Sequence, residues 1–373
     1  MDFHLSDEQH ALVDSLAKFA RAAQIKQLFA ASPEGAAVGS IARWQQMAQL
    51  GLTGLAIGEE YGGLGFTVVE TVLACEVLGE WLVQEPFITA AVVATKLLER
   101  CSSNTMGSGH LRAISEGRMR IAPAFCEAVT HFDLERVTTR VEKRNRRLRV
   151  HGRKQLVVDG AMATHFAVTA RSDVNDLNAF LIDAEQPAVT ICPLRGLTGG
   201  WLVNVVFDGA EVDHDAALFA PESGLPNVEQ ALDFGIVALC AEALGLMSKM
   251  LALTASYLTT RRQFGQPIGS FQALQHRLAD MVVAFEQSRS VTLMAAAALT
   301  GTGSRERKRA VSAAKSTVGR HGRTVLEGAV QLHGAIGITD EYELSRYVRR
   351  LLEVEKTWGD RQYHEARFAT LSD

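Results

Sequence analysis

The hydrophobic periodicity of the chain changes twice, and these changes limit the folds that it can adopt. Up to about residue 115, apolar residues recur three and four positions apart, interrupted by a glycine-rich turn at Gly58–Gly65. From about Arg118 to Leu218, short β-rich runs follow one another between turn residues. After Pro226 the helical period returns and continues to the end. The predicted order is therefore helices, a small β-domain, and helices again.

Local signals sharpen this outline. Ser6 and Gln9 form a plausible capping box for an opening helix. A hairpin around Lys143–Arg147 is the clearest strand pair, and its basic tip is most simply a solvated turn. Further helical patterns in the first region cover residues 41–50, 68–82 and 88–98.

The region after Pro226 predicts four long helices with short connections, which is typical of a bundle. One of them has a wide apolar face formed by Phe271, Leu274, Leu278, Met281, Val282 and Phe285. The other three patterns cover residues 228–260, 306–333 and 341–369. We therefore predict an α+β protein with an N-terminal α-helical domain (1–115), a middle antiparallel β-domain (116–222) and a C-terminal four-helix bundle (223–373).

Charge and cysteine content exclude several classes. The net charge of −4 gives no electrostatic case for nucleic acid or an anionic membrane as a partner. The five cysteines are widely spaced and form no CxxC pair, as expected of reduced, mostly buried thiols in a cytosolic protein. The N-terminus lacks a signal-peptide pattern, and no apolar stretch approaches the ~20 uncharged residues that span a bilayer. We expect a soluble, cytoplasmic protein.

The sequence also lacks the motifs of common catalytic and metal sites. No HxxxH or HExxH spacing is present, so no metal site is predicted. No GxSxG elbow or Walker loop occurs. The glycines of Gly334–Gly337 follow a helical pattern instead of a strand, which argues against a dinucleotide-binding Rossmann motif.

Two stretches have the composition of ligand sites. Arg261–Gln272 combines two arginines, an aromatic residue and a Gly/Pro turn, which could hold a pyrophosphate through charge-assisted hydrogen bonds. Arginines at the end of a helix can equally complement its dipole. In Gln331–Glu343, small residues would let a ligand approach the backbone, although a plain turn between helices explains them as well.

Together these stretches resemble the acyl-CoA dehydrogenase family over nearly the whole chain. The opening "MDFHLSDEQHALVDSLAKFAR" and the turn "LGLTGLAIGEEYGGLG" are similar to the family's N-domain, and "RRQFGQPIGSFQALQHRLADM" and "QLHGAIGITDEYELSRYVRR" to its two C-domain signatures. The resemblance implies FAD, a CoA thioester substrate and α,β-dehydrogenation. A glutamate removes the α-proton, the β-hydrogen leaves as hydride to the flavin, and an electron-transfer flavoprotein is the expected acceptor.

The residues that the family uses for its own active site are missing. The two positions of the family's base fall on Trp358 and Gly235, and neither is acidic. The flavin-contacting segment corresponds to Cys126–Asp133 and keeps only the glutamate and the final aspartate. The Trp-Ile-Thr strand that covers the flavin corresponds to Leu156–Val158, where a valine replaces the threonine hydroxyl.

The residues that the family extends across a dimer interface to the neighbour's FAD are retained. They are Arg261, Gln263, Phe264, Gln272, Gln331 and Gly334. The chain therefore resembles the base-lacking subunit of the heteromeric (α2β2) acyl-CoA dehydrogenases of bacterial steroid side-chain degradation. This resemblance implies an FAD shared with a homologous partner subunit that carries the catalytic glutamate.

Two other hypotheses remain open from the sequence. A homo-oligomeric dehydrogenase could use a relocated base, with Glu242 or Glu355 as candidates, although each is more simply a salt-bridged or solvated acid. A scaffold protein without FAD is the third hypothesis. The intact "RRQF" and "QLHGAIG" stretches argue against it, because packing alone does not require paired arginines there.

Overall fold

The computed structural model describes residues 5–29, 40–101, 104–144, 147–172, 176–198, 202–213 and 216–371. By compactness the chain divides into two units, each assembled from separated stretches. One unit contains Met1–Phe29, Val68–Val83 and Ile236–Asp373, and the other contains Ala30–Thr67 and Gln84–Gly235. In the described residues, the first unit is helical apart from one short hairpin, and the second holds a β-sheet with short helices.

Within the described part of the chain, five α-helices precede the sheet. They are α1 (Asp7–Phe29), α2 (Ile41–Gln49), α3 (Val68–Glu80), α4 (Ala94–Leu98) and α5 (Asn104–Ser115). The predicted capping box begins α1: the backbone N–H of Gln9 donates to Oγ of Ser6 at 3.2 Å, and that of Ser6 donates to Oε1 of Gln9 at 3.0 Å. The helical patterns at 41–50 and 68–82 are confirmed as α2 and α3.

Two features of this region differ from the sequence prediction. The segment Phe87–Val93, predicted as the start of an α-helix, is a π-helix that leads into α4. Helix α5 was not predicted, because its two glycines and its serines give it a weak intrinsic preference for helix. Burial of Leu111 and Ile114 stabilises it instead.

Among the residues that the structure describes, seven strands form the sheet, in the order β1-β4-β2-β3-β7-β6 with β5 paired to β4. They are β1 (Ile121–Ala124), β2 (Arg140–Arg144), β3 (Arg147–Val157), β4 (His165–Arg171), β5 (Leu177–Asp183), β6 (Val189–Pro193) and β7 (Val203–Asp213). Most pairs are antiparallel, as predicted, but β4 runs parallel to β1 and, at one residue pair, to β2. The predicted hairpin is β2–β3; residues 145–146 at its basic tip lie outside the described residues.

The C-terminal helices begin with α6 (Gly224–Thr260), which a small hairpin of β8 (Arg262–Gln263) and β9 (Gln266–Pro267) follows. Then come α7 (Gln272–Gly301), α8 (Ser304–His333), α9 (Leu344–Lys356) and α10 (Arg361–Thr370). The fourth predicted helix is thus two helices, separated by a turn at Trp358–Gly359. On the apolar face predicted for α7, Met281 and Phe285 are buried, whereas Val282 remains 42% exposed.

Helix α6 is longer and more apolar than the sequence analysis expected of any segment of the chain. By length and composition alone it could cross a bilayer, and it is the one helix in the described residues that meets these criteria. In its most apolar window 72% of the residues are buried inside the protein. It also contains the buried acids Asp233 and Glu242. Burial by the rest of the chain therefore accounts for its apolar composition.

The cysteines are consistent with the expected reduced thiols. All are free, and four of the five are buried, Cys192 being the exposed one. Burial raises the pKa of Cys126 and of Cys240 to about 11. Since the thiolate is the reactive form, these two thiols are unreactive near neutral pH.

Candidate cofactor site and catalytic position

The position that the resemblance assigns to the catalytic carboxylate lies in the turn between α9 and α10. Trp358 occupies it with a left-handed backbone (φ 54°) and is only 7% exposed. Gly359 follows with φ 108°, and a Cβ on it would lie 2.4 Å from the ring of Tyr363 and 2.8 Å from Nε2 of His364. Asp360 then caps α10, because its Oδ1 accepts a hydrogen bond from the N–H of Tyr363 at 3.0 Å. The turn therefore requires glycine at 359 and presents an indole at 358.

Two buried basic side chains contact the carbonyl groups of this turn and of the helix end before it. Nζ of Lys315 donates to the carbonyl of Val354 in the last turn of α9. Nε2 of His364 lies 3.2 Å from the carbonyl oxygen of Trp358. Burial lowers the pKa of Lys315 to about 8. Burial, reinforced by the charge of Lys315, lowers the pKa of His364 to about 3. His364 is therefore neutral at physiological pH and can donate one hydrogen bond to the turn.

A small cavity lies beside Lys315. Apolar side chains of α6, α8 and α9 line it together with Cys240, Lys315 and Glu355. Its volume is about 20 Å³, which is room for one water molecule. An acyl chain does not fit, so this cavity is not a substrate pocket.

The alternative base positions offer no free carboxylate. Gly235 is a buried residue of α6 without a side chain. Glu242 accepts two hydrogen bonds from Arg350, at 2.6 Å from Nε and 3.0 Å from Nη2. Glu355 lies 3.5 Å from Nη2 of Arg323. Each of these two carboxylates therefore already lies against an arginine side chain. The geometry favours the salt-bridged interpretation of both acids.

In the β-sheet, the glutamate retained from the flavin segment belongs to a buried ion pair. Oε1 of Glu127 accepts hydrogen bonds from Nζ of Lys154 at 2.7 Å and from the backbone N–H and the hydroxyl of Thr139, and Oε2 accepts from Thr138. Nζ of Lys154 also donates to Thr169 at 2.9 Å. Burial raises the pKa of Glu127, but the charge of Lys154 and these hydrogen bonds outweigh it and hold the pKa at about 2. This glutamate therefore stabilises the sheet.

Three further side chains of the would-be flavin face offer no hydrogen-bonding group to an isoalloxazine. Leu156 has a left-handed backbone (φ 51°) and is 48% exposed, and Val158 supplies a methyl group where the family has a hydroxyl. Val129, within the turn closed by Glu127 and His131, is 78% exposed. An isoalloxazine edge needs hydrogen-bond donors and acceptors, and these three side chains have none.

The first predicted cofactor stretch is an exposed hairpin. Phe264 and Gly265 form its tip, with left-handed backbones (φ 52° and 82°), and Phe264 is 90% exposed. Its ring contacts Phe271 edge-to-face at 6.0 Å. Arg261 and Gln263 are exposed at the base and side of the hairpin. The hairpin thus presents a basic group, an amide and an aromatic ring to its surroundings.

The remaining predicted residues lie in the same unit. Gln272 is the exposed first residue of α7, and Gln331 is exposed in the last turn of α8. Gly334 ends α8 with φ 68°, and a Cβ on it would meet nothing within 4 Å. The ring of Tyr257, one turn before Arg261, stacks on that of His333 with centroids 4.5 Å apart, which brings the two stretches together. All six predicted cofactor-contact residues are exposed in the structure, and their role in binding FAD stays a prediction.

Family models match most of the chain. The model "Acyl-CoA dehydrogenase, N-terminal domain" matches residues 6–117, and "Acyl-CoA dehydrogenase, C-terminal domain" matches residues 222–368. The benzylmalonyl-CoA dehydrogenase of Aromatoleum aromaticum is 27% identical, over 94% of this chain and 93% of its own length.

Two solved heteromeric complexes have the same fold. The ChsE4-ChsE5 complex of Mycobacterium tuberculosis includes a chain that is 24% identical with a TM-score of 0.89, covering 99% of this chain and 98% of that one. A variant of the Tcur3481-Tcur3483 steroid ACAD is 25% identical with a TM-score of 0.85, covering 98% of both chains. The order of helical domain, curled central sheet and helical domain is shared with these structures.

Proposed function

Since the chain belongs to the acyl-CoA dehydrogenase family of flavoprotein oxidoreductases, we propose that it is the non-catalytic subunit of a heteromeric member. In this proposal a homologous partner provides the flavin-covering strand and the catalytic glutamate. This chain completes the partner's FAD site. The reaction of the complex is the α,β-dehydrogenation of a CoA thioester.

One contrast supports this proposal above all others. The catalytic position holds a buried Trp358, whereas the residues matched to the cross-interface contacts, with Phe264 the most exposed, all face outwards. Phe264 lies next to the exposed Gln263, in the same hairpin as the exposed Arg261, and this combination of ring, amide and guanidinium suits contacts with a ligand. A chain that had lost every connection to FAD would have no use for this exposed set.

The heteromeric assembly and the steroid substrate rest on similarity. One structural relative is a ChsE4-ChsE5 complex, and another is a steroid ACAD formed by Tcur3481 and Tcur3483. We therefore propose an α2β2 assembly and a steroid side-chain acyl-CoA as its substrate. A cytoplasmic location and an electron-transfer flavoprotein as electron acceptor belong to the same proposal.

This chain would contribute binding and orientation. When bound, FAD supplies the hydride acceptor. Arg261 would pair with the pyrophosphate, whose paired negative charges suit a guanidinium. Phe264 would pack beside the cofactor, and Gln331 would hydrogen-bond near its adenine end. Gln263 and Gln272 add exposed amides on the same surface, and Gly334 leaves the backbone open to close approach.

Expression of the chain alone and with its candidate partner tests the proposal. We expect the lone chain to be colourless and inactive, since it lacks both the base and the flavin face. The purified complex should show an oxidised-flavin spectrum and should oxidise acyl-CoA. Stoichiometric yellow FAD and acyl-CoA oxidation by the lone chain would contradict the proposal. Absence of flavin from every assembly would favour the scaffold hypothesis.

The variant Trp358→Glu restores only one missing element. We expect no dehydrogenase activity from it in the lone chain, because the flavin face at Leu156 and Val158 still lacks its polar partners. A positioned base contributes about 10²–10⁴-fold to the rate, but only when the cofactor is bound beside it. The measurement is acyl-CoA-dependent reduction of a dye after reconstitution with FAD. A working dehydrogenase would show that our description of the site is wrong.

A further inference from the structure

Three aromatic rings from three segments of the helical unit pack on one another beside the candidate cofactor surface. His333 is the last residue of α8 and is 4% exposed. Tyr257 stacks on it at 4.5 Å with an angle of 27° between the rings. Tyr342, between α8 and α9, packs against it at 5.2 Å and 45°. Offset stacks of this kind stabilise by about 0.5–1.5 kcal/mol beyond the burial of their surfaces.

The backbone connects two of these rings, Tyr257 and His333, to predicted cofactor contacts. The backbone N–H of Arg261 donates to the carbonyl of Tyr257 at 2.8 Å. The position of Tyr257 therefore determines where the backbone of Arg261 lies. The carbonyl of Arg261 accepts from the N–H of Ile268 at 2.8 Å, which closes the base of the hairpin. On the other side, His333 directly precedes Gly334, whose N–H donates to the carbonyl of Val330.

The imidazole itself has little freedom. Its Nδ1 lies 2.8 Å from the carbonyl oxygen of Ala329, one turn back in α8. This hydrogen bond and the two tyrosine rings define the ring orientation. A shift of His333 would therefore move the end of α8 relative to the end of α6.

We infer that His333 is a positioning residue: its stack with Tyr257 sets the distance between the Arg261 hairpin and the Gln331–Gly334 turn, and thereby lets both contact one FAD. This inference rests on the proposed function. Because an FAD pyrophosphate and adenine are joined covalently, their protein contacts must be correctly spaced to act together. The stack supplies that spacing within this chain, before any partner is bound.

The test compares variants at both rings in the assembled complex, with FAD affinity measured by titrating the apo-complex. His333→Leu and Tyr257→Leu replace a ring by an aliphatic side chain and should each raise the Kd for FAD about three- to tenfold. Tyr257→Phe keeps the ring and should stay within about twofold of wild type. His333→Phe keeps the ring but loses the hydrogen bond to Ala329, so its Kd should lie between those of wild type and His333→Leu. The double leucine variant should raise the Kd for FAD by less than the product of the two single increases, because both substitutions remove the same ring contact.

The remaining measurements separate the possible failures. Circular dichroism and size-exclusion chromatography establish that each variant folds and assembles, and Tyr257→Leu provides the measurement if His333→Leu does not assemble.

Equal losses of FAD affinity in the phenylalanine and leucine variants would overturn the inference, as would additive effects of the two leucine substitutions. If Arg261→Ala weakens FAD binding while the leucine variants do not, the inference fails and the proposed function stands. If none of these variants changes FAD binding, the proposed function itself is wrong.

Discussion

Replacing Lys154 by methionine is expected to lower the free energy of unfolding by about 3–5 kcal/mol, the usual cost of removing one partner from a buried ion pair. The ammonium group is completely buried and bonds to Glu127 and Thr169. Without it, the carboxylate of Glu127 stays in the sheet with hydroxyl and backbone donors but no opposite charge. Urea unfolding followed by circular dichroism measures the change.

The double variant Glu127→Gln/Lys154→Met is the matched control. It removes both charges together, so it should recover part of the stability lost in Lys154→Met, since the uncompensated charge is gone. A double variant less stable than Lys154→Met, or a single variant as stable as wild type, would show that the ion pair does not have this role.

The same pair predicts how stability depends on pH. The folded-state pKa of Glu127 is about 2, below the ordinary carboxyl value of 4.5. The folded protein therefore binds this proton less readily than the unfolded chain does, and stability is fully present above pH 4.5 and is lost as the pH falls towards 2. We expect wild type to lose stability more steeply in this window than the double variant does.

Replacing Arg261 by alanine is expected to weaken FAD binding to the assembled complex by about 10- to 100-fold, which corresponds to losing a hydrogen-bonded contact to a charged group. The side chain is exposed in the structure, so its removal leaves no buried cavity. The folding of the chain should therefore be almost unchanged. Equilibrium dialysis or flavin fluorescence after dilution of the complex measures the Kd.

Arg153→Ala provides the control for this variant. Arg153 is exposed on β3 and is not one of the six predicted contact residues, so the substitution makes the same change in net charge outside that set. FAD retention should remain at the wild-type level. A loss equal to that of Arg261→Ala would indicate a general charge effect, and no loss in Arg261→Ala would contradict the cross-interface role.

Patterns carried by neighbouring residues predicted the order of elements well. The capping box of Ser6 and Gln9, the hairpin β2–β3 and the apolar periodicity of the long helices depend on contacts only a few residues apart. They survive folding because the local preference and the tertiary packing agree. The assignment of site residues such as Arg261 came from the resemblance and stays a prediction until FAD binding is measured.

Features that depend on distant contacts were not predictable in the same way. The partner of Lys154 lies 27 residues away, and Lys315 meets a carbonyl 39 residues away. A partial signal existed for Lys315, because it shares the helical face of the buried Val311, Ala314 and Val318. A lysine on an apolar face suggests a buried partner, but only the fold identifies that partner as the end of α9.

Trp358 has a backbone conformation that costs free energy. A left-handed backbone costs a residue other than glycine about 1–2 kcal/mol, and asparagine or glycine would relieve much of it. In this chain the turn holds the bulkiest standard side chain in that conformation, between a buried histidine and a required glycine. Trp358→Gly would relieve the backbone strain but remove a buried indole, and the second effect is the larger, because deleting a buried aromatic side chain costs about 3–5 kcal/mol. Packing of the indole therefore holds the turn between α9 and α10 in place.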